Sequence, residues 1–200
     1  MGVAKCEQIA GVVLAGGQSR RMGWDKAGVL LADRPLVVHA LDLLRPQVGA
    51  LAVNANAPLP EGTPPGTVVL PDARPGFTGP LAGIETALAF GQSTGALLVA
   101  TVPVDAPFLP PGLVARLAAG LSPGDMAAVA ATEEGPHPVA AVWRVDALST
   151  VSLALDEGLR AVRDLLARIP HRVIRFEDTG AFTNVNTPED LARAEERMRR

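Results

Sequence analysis

The chain alternates short, continuous apolar runs with longer segments whose apolar residues recur with the period of a helix. Short apolar runs bounded by turn residues are typical of buried strands, whereas the helical period is typical of helices with one buried face. The pattern predicts strands at residues 8–14, 50–53, 68–70, 96–102, 126–132, 139–144 and 171–176. It predicts helices at residues 35–44, 80–90, 111–121, 145–155 and 159–168, and a last helix capped by Thr187, with Pro188 and Asp190 in its first turn.

Strands that alternate with helices at this spacing predict an α/β fold with a mostly parallel central sheet and helices on both faces. The run at residues 96–102 is nearly continuously apolar and ends at Pro103, so we expect it in the middle of the sheet. No linker, internal repeat or low-complexity segment interrupts the pattern, so we expect one domain over residues 1–200. Sheets of this kind bind ligands beyond the carboxyl ends of their strands.

The composition narrows the classes of function. The formal net charge of -3 comes from 18 basic and 21 acidic residues spread along the chain, which disfavours nucleic acid as a partner. No apolar stretch reaches the roughly 18–20 residues that a membrane-spanning helix needs, and no secretion signal opens the chain. The single cysteine, Cys6, cannot form an internal disulfide. We therefore expect a cytoplasmic, one-domain enzyme with no membrane contact.

A glycine-rich segment at residues 14–26 follows the first predicted strand, where α/β proteins hold phosphate groups. Gly16 and Gly17 have no Cβ, so their backbone amides can approach an anion closely. Arg21 can donate paired hydrogen bonds to phosphate oxygens, and Lys26 can offset the charge that builds up on a phosphorus under attack. On spacing alone, a surface turn with solvated charges is an equally good interpretation.

The spacing of this segment matches neither a P-loop nor a dinucleotide-binding loop, which disfavours kinases and dehydrogenases. The pattern Leu-x-Gly-Gly-x-x-x-Arg-Met-Gly-x-x-Lys, from Leu14 to Lys26, resembles the signature of the Rossmann-like nucleotidyltransferases. The pair Gly16 and Gly17 resembles the molybdenum cofactor guanylyltransferases more than the cytidylyltransferases, which usually carry alanine at the first glycine position. A missing Cβ there leaves room for a purine. Further segments resemble this family at residues 79–83, 102–110 and 182–191.

Asp105 follows the predicted central strand and is a candidate ligand for Mg²⁺. Magnesium is commonly bound by one or two carboxylates together with phosphate oxygens and water, so a single aspartate beside a triphosphate is a suitable site. Without other information, an aspartate that caps the next helix is the commoner interpretation. The resemblance implies the metal-binding role, with Mg²⁺ as the cofactor and with Arg21, Lys26 and Asp105 as catalytic residues.

The resemblance also implies contacts to both substrates. Asp72 is implied to accept the ring and amino N–H groups of guanine, and Asn54 to contact the nucleotide, although Asn56 is an alternative. Strand-like alternation puts Asn184 and Asn186 on one face, and the resemblance implies that these two residues and His137 lie near a pterin substrate. The implied GTP-binding residues are Leu14, Ala15, Gly16, Gly17, Lys26, Asn54, Asp72, Gly79, Gly83 and Asp105.

The implied reaction transfers GMP from GTP to molybdopterin or Mo-molybdopterin and releases pyrophosphate. The N-terminal part of the domain is implied to bind the nucleotide and the C-terminal part to contribute to the pterin pocket. Molybdoenzymes and other cofactor-biosynthesis proteins are candidate protein partners. Two alternatives stay open: a cytidylyltransferase acting on molybdopterin or on an alcohol phosphate, and a non-catalytic nucleotide-binding or assembly protein. The presence of both Lys26 and Asp105 disfavours the second alternative.

Overall fold

A computed structural model describes residues 6–16, 26–74 and 79–199 of the chain. The strands are β1 (Ile9–Leu14), β2 (Leu30–Leu31), β3 (Arg34–Pro35), β4 (Ala50–Asn54), β5 (Val68–Leu70), β6 (Leu98–Pro103), β7 (Ala127–Thr132), β8 (Gly135–Arg144) and β9 (His171–Arg175). The helices are α1 (Leu36–Leu44), α2 (Pro80–Ser93), α3 (Leu113–Gly120), α4 (Leu148–Asp156), α5 (Val162–Leu166) and α6 (Pro188–Met198). Within these residue ranges, no helix is long and apolar enough to cross a membrane.

The main sheet has the strand order β5-β4-β1-β6-β8-β7-β9. Strand β1 lies parallel to β4 and β6, β4 to β5, and β7 to β9, whereas β8 runs antiparallel to both of its neighbours. Strand β6 occupies the middle of this order and is buried over nearly its whole length. The predicted α/β fold, its mostly parallel sheet and its central strand are therefore confirmed.

Both faces of the sheet are covered by helices, as predicted. Along β1, Ile9 and Val13 pack on one face, in the core that contains residues of α1, α3 and α6. Ala10 and Val12 pack on the opposite face, in the core that contains residues of α2, α4 and α5. Because successive side chains of a strand point to opposite faces, two buried faces require an apolar residue at every position. This requirement explains the continuous apolar runs in the sequence.

The turn predicted at residues 133–138 is shorter than expected, because β8 begins at Gly135. This glycine has a φ of 123°, which permits a tight turn from β7 into β8. Pro136 and Pro138 do not prevent the strand, since this part of β8 pairs only with β7 and β6 begins to pair at Ala141. A proline that has no partner strand on one side loses no sheet hydrogen bond there.

The helix predicted at residues 159–168 is reduced to α5, because the chain before it contacts the start of α2. The carbonyl of Arg160 accepts a hydrogen bond from the Leu81 amide at 3.2 Å. In a helix, this carbonyl would instead accept from an amide one turn further along the same helix. The hairpin of β2 and β3 was not predicted from the pattern. Its two-residue turn places Ala32 and Asp33 at positive φ, a conformation typical of tight hairpins but rare for alanine.

Candidate active site

The carboxyl ends of four adjacent parallel strands bring the candidate nucleotide-binding residues to one edge of the sheet. Leu14 ends β1 and Asn54 ends β4, while Asp72 and Asp105 each lie two residues beyond the ends of β5 and β6. Backbone hydrogen bonds continue past the strand ends, since the Ala15 amide donates to Asn54 O at 2.9 Å and the Val104 amide donates to Leu14 O at 3.1 Å. These residues thus lie at the carboxyl ends of the strands, where the sequence predicts ligand binding, and their binding roles stay predictions.

Lys26 and Asp105 form an ion pair at this edge. The Lys26 ammonium donates to Asp105 Oδ2 at 2.7 Å and also to Asn186 Oδ1. Asp105 is 8% exposed, so this pair is better shielded from water than an ordinary surface ion pair. The Val185 amide donates to Asp105 O at 2.8 Å, which holds the segment containing Asn186 against the end of β6. Three distant parts of the chain therefore meet around one ammonium group.

The donor set around this ammonium suits a hard divalent cation that brings ligands of its own. Carboxylate and amide oxygens are the ligands that Mg²⁺ accepts, and here Asp105 and Asn186 already direct them at a cation, the Lys26 ammonium. Among the described residues, no hydrogen bond reaches the second carboxylate oxygen, Asp105 Oδ1. The same ranges contain no group of three or more His, Cys, Asp and Glu side chains that could hold a metal alone.

Asp72 is held by the two asparagines that the sequence left as alternatives. Asn54 Nδ2 donates to Asp72 Oδ1 at 2.9 Å, and Asn56 Nδ2 donates to Asp72 Oδ2 at 2.8 Å. The Asp72 amide in turn donates to Asn56 Oδ1 at 2.8 Å, and Asn54 Nδ2 also donates to Leu70 O at 3.0 Å. Both asparagines therefore orient Asp72, whichever of them also contacts a nucleotide.

Gly16 and Gly83 both lie close to the amide oxygen of Asn54. A Cβ at Gly83 would lie 2.7 Å from Asn54 Oδ1, and a Cβ at Gly16 would lie 3.3 Å from the same atom. Asn54 is 1% exposed and bonded through its nitrogen, so its amide has little room to move away. Gly83 is therefore needed for packing inside the protein, and its implied contact with GTP stays a prediction.

Gly79 has a conformational role at the start of α2. Its φ of 75° lies in the left-handed region, and a Cβ there would lie 2.9 Å from Arg160 O. Arg160 itself is fixed through Nη1, which donates to Leu155 O at 3.0 Å and to Leu159 O at 2.8 Å. Glycine at this position thus lets the segment between α4 and α5 lie against the first turn of α2.

An ion-pair cluster that the sequence analysis missed anchors the segment just after Asp72. Arg74 donates to both Glu85 oxygens, at 2.8 and 2.9 Å, and to Asp156 Oδ1 at 2.5 Å. Glu85 is 7% exposed, and its hydrogen bonds with Arg74 hold the pKa of its carboxyl below the ordinary value, against the effect of burial. An acidic residue at a buried position of an apolar helix was the available signal, because such a charge needs a partner.

His137 lies half-buried on β8 and packs against the segment that precedes Asn184. Its ring stacks on Phe182 with 4.6 Å between the centroids, and its Nε2 is hydrogen-bonded to Thr132 Oγ1 at 3.0 Å. Burial lowers the pKa of His137, while the charge of Glu134 opposes that shift. Its protein contacts are thus those of a packed residue, and its role toward a pterin stays a prediction.

Asn184 and Asn186 are exposed on either side of buried Val185, as the predicted alternation requires. The segment is not a strand, although its side chains alternate in exposure as in one. It leads into α6, where Thr187 and Asp190 form the predicted capping box. Gly17 and Arg21 lie outside the described residues, so their phosphate-binding roles stay predictions.

Comparison with known proteins bears out the family resemblance. The profile of the MobA-like NTP transferase domain matches residues 11–173. A molybdenum cofactor guanylyltransferase of Rhizobium johnstonii is 44% identical over 94% of this chain and 91% of its own length. One from Rhodobacter capsulatus is 42% identical over 96% of this chain and 97% of its own length.

Solved structures agree on the fold. Molybdopterin-guanine dinucleotide biosynthesis protein A of Archaeoglobus fulgidus superposes with a TM-score of 0.78 at 24% identity, over 95% of this chain and 98% of its own. A Mycobacterium tuberculosis protein solved in complex with manganese superposes with a TM-score of 0.64 at 20% identity, over 96% of this chain and 100% of its own. Since the family profile spans most of the chain and the relatives match almost end to end, this chain belongs to the MobA-like NTP transferase family of nucleotidyltransferases.

Proposed function

We propose that this protein is a molybdenum cofactor guanylyltransferase, which transfers GMP from GTP to molybdopterin or Mo-molybdopterin and releases pyrophosphate. The relatives at 44% and 42% identity carry this name, and they match nearly the whole chain. The observation that carries the proposal is the meeting of Lys26 with the nearly buried Asp105 at the carboxyl ends of the parallel strands, the edge of the sheet at which Asp72 also lies. This edge combines an ammonium for phosphates with an acceptor for a base.

In the proposed reaction, a terminal phosphate oxygen of the pterin substrate attacks the α-phosphorus of GTP in line with the departing pyrophosphate. The backbone of Leu14 to Gly17 and the guanidinium of Arg21 hold the triphosphate. Lys26 exchanges its contact with Asp105 for the phosphate oxygens, where it stabilises the charge that develops on the α-phosphoryl group and the leaving group. No covalent bond between enzyme and substrate is needed.

Asp105 is the proposed ligand for Mg²⁺. Asn186 contacts the same Lys26 ammonium as Asp105, so its amide oxygen is a second proposed ligand. When bound, Mg²⁺ would supply positive charge that offsets the charge of the triphosphate and favours attack on phosphorus. The solved relative with manganese supports divalent-cation binding in proteins of this fold.

Asp72 is the proposed acceptor for guanine, because its carboxylate accepts hydrogen bonds and the guanine edge offers two adjacent donors. Asn54 and the first turn of α2, from Gly79 to Gly83, line the nucleotide side. His137, Asn184 and Asn186 are proposed to face the pterin, so the N-terminal part of the single domain binds GTP and the C-terminal part completes the second pocket. A cytoplasmic location and contacts with molybdoenzymes or cofactor-biosynthesis proteins are part of the same proposal.

The test combines nucleotide binding with turnover. Thermal unfolding is followed with GTP, ATP, CTP or UTP in the presence of Mg²⁺, because a ligand raises the midpoint according to its concentration relative to its affinity. Stabilisation by GTP alone is expected, and stabilisation by CTP alone would favour a cytidylyltransferase. Pyrophosphate release in the presence of molybdopterin then separates an enzyme from a nucleotide-binding assembly protein.

Lys26→Ala provides the matching catalytic test. We expect loss of pyrophosphate release with an unchanged circular dichroism spectrum, because Lys26 acts on developing charge and its side chain is a quarter exposed. Arg168→Ala is the control, since it removes an exposed cation that pairs with Glu157 outside this edge. Wild-type turnover in Lys26→Ala would overturn the assigned role.

A further inference from the structure

The Asp72 carboxylate is held at both of its oxygens by donors from one short stretch of chain. Asn54 Nδ2 donates to Oδ1 at 2.9 Å, and Asn56 Nδ2 donates to Oδ2 at 2.8 Å. A carboxylate can accept about four hydrogen bonds, so each oxygen keeps capacity for one more. Two acceptors in one fixed plane complement two adjacent N–H donors, and they do so only while that plane is maintained.

The two asparagines hold the plane of the Asp72 carboxylate through different contacts. Asn54 is almost fully buried, and its nitrogen is used twice, by Leu70 O at 3.0 Å and by Asp72. Asn56 is exposed and makes a reciprocal pair with Asp72, because it donates to the carboxylate and accepts from the Asp72 amide at 2.8 Å. With the Asn54 contact alone, the carboxylate could still rotate about the bond that joins it to Cβ.

We propose that Asn56 is a positioning residue that fixes the plane of the Asp72 carboxylate and thereby sets the preference for guanine over other purines. This inference rests on the proposed guanylyl transfer and deepens it. Asn56 acts through Asp72 and need not touch the base. Its loss should therefore leave the chemical step intact and weaken the recognition of the guanine donors.

The size of the effect follows from what one oriented acceptor contributes. A site that hydrogen-bonds a substrate group rejects an analogue that lacks the group, because its own polar atom is then left without a partner. ITP differs from GTP by the missing 2-amino group, so the ratio of kcat/KM for GTP to that for ITP reports this acceptor. A hydrogen bond to a charged group supports a change of roughly tenfold or more, so Asn56→Ala should lower this ratio by about tenfold.

The experiment compares three variants with wild type, using GTP, ITP and ATP with Mg²⁺ and molybdopterin. Asn56→Ala removes both contacts to Asp72. Asn56→Asp keeps an oxygen for the Asp72 amide but replaces the donor by a like charge. Thr63→Val is the control in the same connection between β4 and β5, since Thr63 Oγ1 donates only to the local turn at Pro60 O, at 2.7 Å. Each variant is also unfolded thermally without ligand.

The expected result is a fall in the GTP to ITP ratio for both Asn56 variants, through a higher KM for GTP with kcat nearly unchanged. Thr63→Val should keep the wild-type ratio. A wild-type ratio in Asn56→Ala or in Asn56→Asp would overturn the proposal, and so would an equal loss with all three nucleotides. Failure of the proposed function looks different, because the wild-type protein itself would then release no pyrophosphate from GTP.

Discussion

The contact between Gly83 and Asn54 allows a quantitative test of the packing around the site. Replacing Gly83 by alanine puts a Cβ 2.7 Å from Asn54 Oδ1, too close for a carbon and an oxygen that are not bonded. The asparagine cannot rotate away freely, since its nitrogen donates to Leu70 O and to Asp72 Oδ1 at 3.0 and 2.9 Å. Gly83→Ala must therefore shift the amide by several tenths of an ångström.

Opposing terms decide the net effect on the free energy of unfolding. Alanine is favoured over glycine inside a helix by about 0.5–1 kcal/mol. Against this gain, a crowded interior group costs about 1–3 kcal/mol. Weakening one of the Asn54 hydrogen bonds costs about 1 kcal/mol more. We therefore expect Gly83→Ala to destabilise the protein by roughly 1–3 kcal/mol, summed from these terms.

A double-mutant cycle with Asn54→Ala isolates the contact. Removing the asparagine removes the oxygen that meets the new Cβ, so in that background Gly83→Ala should stabilise by about 0.5–1 kcal/mol. The coupling free energy should therefore be about 2–4 kcal/mol, large for one pair of residues. Urea unfolding of the four proteins measures it, provided that the slope against urea stays constant.

Gly112→Ala is the control, because Gly112 precedes α3 and a Cβ there would meet no atom within 4 Å. Its free energy of unfolding should change by less than about 0.5 kcal/mol. An equal cost of Gly83→Ala in the presence and in the absence of Asn54 would refute the reasoning, since the cost could then not come from the amide oxygen.

Three further predictions concern residues around the site. Gly79→Ala should destabilise by at least about 1–2 kcal/mol in urea unfolding, because alanine resists positive φ and its Cβ would meet Arg160 O. Arg74→Met should lower the thermal midpoint more at pH 7 than at pH 3. Because the pKa of Glu85 is lowered in the folded protein, its pair with Arg74 stabilises the fold only while the Glu85 carboxyl is ionised. Equal shifts of the midpoint at the two pH values would contradict this. Burial lowers the pKa of His137 from 6.5, so the unfolded chain binds a proton more readily than the folded one. The free energy of unfolding should therefore fall as the pH drops below about 6.5. His137→Phe should reduce this dependence of stability on pH between pH 7 and 5.

Local patterns predicted most of the fold, because the burial of one or two faces imposes a period that can be seen in the sequence. Strand β5 was predicted with its observed bounds, Val68–Leu70, and the central position of β6 followed from its nearly continuous apolar run. Asn54, Asp72 and Asp105 lie at the carboxyl ends of parallel strands, where this kind of sheet binds ligands, and their roles stay predictions. The hairpin of β2 and β3 escaped because each strand has two residues, too few to show a period.

The pairing of side chains was beyond prediction. Lys26 meets Asp105 across 79 positions and Asn186 across 160, and nothing local in the sequence relates these residues. From the sequence, the missing Cβ at position 16 was explained by the space that a purine needs. In the structure, a Cβ at Gly16 or at Gly83 would already come close to the amide oxygen of Asn54.

This arrangement makes the glycines and the asparagine one packing unit. A larger residue at position 16 or 83 would move Asn54, and Asn54 would then move Asp72 through their 2.9 Å hydrogen bond. On the proposed role of Asp72, we expect a larger residue at either position to alter the recognition of the base. An interior that is close-packed against a hydrogen-bonded amide cannot absorb an extra carbon without displacing a bonded atom, so this effect should act through Asn54.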